Sequence, residues 1–122
     1  ATVGKVVHMG IQKDAGELLL YIYKRYVEDP TGWTMGIGPK EVLETTKWDA
    51  GRINRAFDYL CDIHAIKFVS CIGNFEKVTN FSIEGLTPVG IGIIEDSPTF
   101  KKTFGFEVNL GLVKFSWQTA EK

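Results

Sequence analysis

Several common protein classes are excluded by what this chain has little of. Only two of its 122 residues are cysteine, Cys61 and Cys71. That is too few for a disulfide framework, so the expectation is two free thiols packed as small hydrophobes. Proline occurs four times, and the 13 glycines follow no repeat, which removes collagen-like and low-complexity readings. No apolar run approaches the roughly 20 residues that span a bilayer, and the start lacks the layout of a secretory signal. A cytoplasmic protein without membrane contact is therefore expected. Neither sign of charge is in excess: 14 Lys+Arg against 15 Asp+Glu leave a net charge of -1. Such a molecule has no overall field that draws it to nucleic acid or anionic lipid, so any binding of that kind must come from a local patch.

What is present is 44% hydrophobic residues in a length that suits one domain with a buried core. The first eight residues, ATVGKVVH, show neither a cap nor a helical period, and we expect a vector-derived leader or a loose arm. From Asp14 to Glu28, Ala15, Leu18, Leu19, Ile22 and Tyr26 fall at helical spacing and predict a first helix. A second stripe, Leu20, Tyr23 and Val27, needs a cover of its own, either the chain's C-terminal segment or a dimer partner. Pro39 opens a short second helix, PKEVLETTK. Asp49 can cap a third, with Ile53, Ala56, Phe57, Leu60 and His64 on one face and Arg52, Arg55 and Tyr59 on the other. Residues 65–72 and 77–83, joined around Gly73-Asn74, read as a β-hairpin. Thr87 and Pro88 then start a helix that Ser97-Pro98 ends. The stretch FGFEVNLGLVKFSW has two β-prone runs, for a second hairpin or an extended arm.

Three helices, a hairpin and a further helix follow the order of a winged helix-turn-helix domain. SIEGLTPVGIGIIE resembles the wing-exit strand, Leu-Thr pair and Gly-containing last helix of many small bacterial and archaeal winged-helix regulators. GPKEVLETTKWDAGRINRAFDYLCDIHAI is similar to their second helix, turn and recognition helix. The resemblance covers residues 14–96. It implies an α+β winged-helix fold in residues 9–96, with residues 97–122 as an extension packing on helix one or on a dimer partner. Most members of the family regulate by binding DNA, while others bind proteins.

The resemblance further implies that helix three (about 49–64) enters the major groove of double-stranded DNA and that the wing (about 66–83) touches phosphates. Arg52 and Arg55, three apart on one helical face, could grip guanine or phosphate, with Tyr59 a turn later. Asn54 could read adenine, and Lys40, Lys47, Lys67, Asn74 and Lys77 are candidate backbone contacts. Against this, residues 39–85 hold six Lys/Arg and seven Asp/Glu, with Asp58 and Asp62 on helix three itself. A DNA reading therefore requires few contacts per subunit, or a homodimer through helix one and the C-terminal extension.

Cys61, His64 and Cys71 have metal-ligand chemistry but lack a fourth ligand, so no metal is expected. Nucleotide-binding and nucleophile-elbow motifs are absent, and neither an enzyme nor a cofactor is expected. Glu95-Asp96 sits unfavourably at a helix C-terminus, and Trp33, Phe115 and Trp117 could anchor an interface or line a small-molecule pocket. The leading expectation is a winged-helix DNA-binding regulator. Its alternative is a winged-helix protein-interaction module without DNA binding, distinguished by a neutral helix-three strip beside an exposed apolar patch.

Overall fold

The computed structural model describes residues 2–31 and 36–107, with side chains in the first helix from Gly10 onward. Among these residues it is an α+β structure of five helices and one two-stranded antiparallel sheet. The elements are α1 (Thr2–Glu28), α2 (Pro39–Thr46), α3 (Ala50–Asp62), β1 (Ile66–Phe75), β2 (Val78–Leu86), α4 (Pro88–Glu95) and α5 (Ser97–Phe104). The backbone of residues 2–8, expected as a leader or loose arm, is helical and continuous with α1. Most of the expected C-terminal β-prone runs, together with Trp33, Phe115 and Trp117, lies outside the described residues.

The core forms where the apolar stripes of the helices converge. Ala15, Leu18, Leu19 and Ile22 of α1 meet Ile53, Ala56 and Leu60 of α3, and Phe100 and Phe104 of α5 complete the cluster. Burying a side chain of this size contributes about 1.5–3 kcal/mol, so these few contacts set the helix packing. α5 was not foreseen as an element. A single residue, Asp96, separates it from α4, and Pro98 stands in its first turn, where a missing N–H costs nothing. α4 lies beside the second stripe of α1. Leu20 is buried and Tyr23 half-buried, with its hydroxyl donating to Glu95 of α4 at 2.9 Å, whereas Val27 is exposed.

Short polar signals fix the element ends. The Asp49 carboxylate accepts the Arg52 backbone N–H at 2.8 Å and caps α3, while the Thr87 hydroxyl accepts the Gly90 N–H at 3.0 Å and caps α4. Between α2 and α3, Lys47 takes the left-handed conformation and donates its N–H to Leu43. α3 ends at Asp62, two residues before the expected limit, and His64 is a left-handed, exposed turn residue rather than part of the helix face.

The Leu-Thr-x-x-Gly sequence acquires a physical meaning here. Leu86 is buried, Thr87 caps α4 and donates its hydroxyl to the His64 carbonyl, and Gly90 lies against the Ala65 backbone. A Cβ at position 90 would sit 2.1 Å from the Ala65 carbonyl oxygen. Only glycine permits this approach between α4 and the chain leaving α3.

β1 pairs with β2 from Ile66↔Leu86 to Phe75↔Val78, with irregularities between Lys67 and Phe68 and between Ser70 and Asn74. The other side of β2 carries an antiparallel bridge to Ile37, with hydrogen bonds of 3.0 and 2.8 Å in the two directions. β2 is therefore the inner strand, buried at alternate positions, and β1 is the outer one.

Candidate interaction surfaces on helix three and the hairpin

The polar front of α3 is largely engaged with the rest of the chain. Arg52 lies beside Asp14 of α1, where its Nε and Nη2 donate to the two carboxylate oxygens at 2.7 and 2.9 Å. Its guanidinium also stacks over the Trp48 ring at 4.4 Å. Asp14 is only 8% exposed, so this two-pronged bond satisfies a carboxylate that would otherwise be desolvated without compensation. Hydrogen bonding to Asp14 raises the Arg52 pKa further above its ordinary value, against the opposing effect of burial. An arginine held in this way does not present a free fork to a base edge.

Tyr59 is also enclosed. Its ring packs near Phe104, its hydroxyl donates to the Thr103 carbonyl of α5 at 3.3 Å, and Gln12 of α1 donates to it at 3.4 Å. Asn54 serves the junction with the hairpin. Its Nδ2 donates to the Lys77 carbonyl at 3.1 Å and its Oδ1 accepts the Thr79 N–H at 3.0 Å, which uses both ends of the amide on β2 and its turn. Beneath that contact, Phe57 stacks on Phe81 with ring centroids 4.1 Å apart and meets the edge of Phe68 at 5.3 Å.

Arg55 is exposed, as are Lys40, Lys47, Lys67, Asn74 and Lys77. The outward ridge of α3 combines Gly51 and Arg55 with the exposed Asp58 and Asp62, so one cation shares it with two carboxylates. Asn74 turns its side chain inward on the hairpin, accepting the Lys77 N–H at 3.3 Å. The helix-three candidates thus divide into Arg52, Asn54 and Tyr59, which hold the fold, and Arg55, which faces solvent.

The hairpin exposes what α3 does not. Every residue of β1 after Ile66 is exposed, including Phe68, Val69, Ile72 and Phe75. Val69 is 55% exposed and Ile72 99%. Phe68 and Phe75 pair with Ile83 and Val78 and share the inner face, whereas Val69 points away from it. The sequence pattern marked this run as a strand but gave no sign that it projects beyond the core. Asp14 and Trp48 were missed as partners of Arg52, although an acidic residue four positions before Leu18 on the apolar stripe of α1 needs a hydrogen-bonding partner there.

Cys61 and His64 do not share a helix face, and no group of three or more His, Cys, Asp or Glu among the described residues is placed to hold a metal ion. Burial, reinforced by Asp58 and Asp62, pushes the Cys61 thiol up to about 11. Glu95 and Asp96 have local tasks: Glu95 accepts from Tyr23, and Asp96 accepts from the Thr99 hydroxyl at the start of α5. Between α1 and α5 a cavity of about 150 Å³ is lined by Gly10, Gln12, Lys13, Phe104 and Gly105. That is below the several hundred Å³ of ordinary ligand pockets. No helix among the described residues is long and apolar enough to cross a membrane. Comparison with protein-family models, with curated proteins and with solved structures finds no match to the chain.

Proposed function

We propose that the chain is a winged-helix protein-interaction module whose contact surface is the exposed strand β1 of the wing. The supporting observation is the solvent exposure of Val69 and Ile72 on β1, beside Phe68 and Phe75 of its inner face, which the core leaves partly uncovered, because apolar surface gathered on one strand marks a contact site. The engagement of Arg52 by Asp14, of Tyr59 by α5 and of Asn54 by the hairpin supports the same reading, since among the described residues it leaves the outward ridge of α3 with the exposed Arg55 beside Asp58 and Asp62.

The DNA reading retains Arg55, Lys40, Lys47, Lys67, Asn74 and Lys77 as exposed groups. It has to place them on a polyanion without the paired arginines of α3. Fluorescence anisotropy of a labelled mixed-sequence duplex at about 50 and about 200 mM salt separates the two readings, because phosphate contacts lose affinity steeply over that range. The protein-interaction reading predicts no binding beyond a weak background at either salt. Tight binding that falls with salt and weakens in Arg55→Ala would overturn it.

A further inference from the structure

We draw no further inference here: the strongest candidate, the exposed apolar patch of β1 around Val69 and Ile72, belongs to the contact surface already proposed, and nothing among the described residues shows what covers it.

Discussion

At the scale of single residues, Arg52 has a structural role where the sequence led us to expect a DNA-contacting one. Its position on α3 beside Arg55 is the spacing expected of a pair aimed outward, and spacing alone cannot register that Asp14, 38 residues earlier, is buried on the facing helix. Removing the guanidinium leaves that carboxylate without its two-pronged partner. Because the Arg52 side chain is 40% exposed, solvent softens the loss, and we expect Arg52→Ala to cost about 1–3 kcal/mol in urea unfolding. Arg55→Ala, at a solvent-facing position, should stay within about 0.5 kcal/mol. Equal stability of the two variants would contradict the assignment.

The two thiols separate in the same way. Cys61 is half-buried, and its ionisation is pushed up to about 11 by burial and by Asp58 and Asp62, while Cys71 is exposed on β1. At pH 8 a thiol reagent should therefore modify Cys71 first and Cys61 slowly, and the order would reverse in no folded sample. Linkage also follows from the raised value. The folded protein holds the Cys61 proton more tightly than the unfolded chain does, so this contribution to stability is complete below about pH 9 and declines as pH rises toward 11.

Among the elements, periodicity revealed those whose buried faces have short-range signatures. α2, α3 and α4 were expected within a few residues of their observed limits, because a proline or an Asp or Thr cap marks each start. The two strands of the hairpin were expected as well, but its turn is Glu76-Lys77, and Gly73-Asn74, expected to form it, lies inside β1 where the register shifts. α5 was not expected. Its first turn, Ser97-Pro98, reads equally well as the stop of the preceding helix, and its buried Phe100 and Phe104 are recognisable only from the groove they fill. Gly90 and Gly92 look alike in sequence, as two weak points in one helix, yet their surroundings are opposite. A Cβ at Gly90 meets the Ala65 carbonyl, while one at Gly92 meets nothing within 4 Å. Gly90→Ala should therefore destabilise by about 2–3 kcal/mol through overpacking. Gly92→Ala should be neutral or stabilise by up to about 1 kcal/mol through helix propensity. Thermal or urea unfolding of the pair checks both signs, and two variants of equal stability would refute the close approach of α4.

For the molecule as a whole, charge counting and the resemblance to a winged helix point to different partners. Six basic against seven acidic residues in residues 39–85 led us to expect few DNA contacts per subunit, or a dimer that doubles them. In the structure two of the polar groups on α3 turn toward α1 and α5 and a third toward the hairpin. The apolar edge of β1 was hidden in the sequence, because β-branched and aromatic residues signal a strand equally well whether their neighbours cover them or not. The account thus rests on which surface of the folded chain does the binding. The most direct test is velocity sedimentation of a labelled mixed-sequence duplex with excess protein at about 50 mM salt, where phosphate contacts are strongest. The duplex boundary should be unmoved by the protein; a boundary that shifts to faster sedimentation, and returns as salt is raised, would contradict the account.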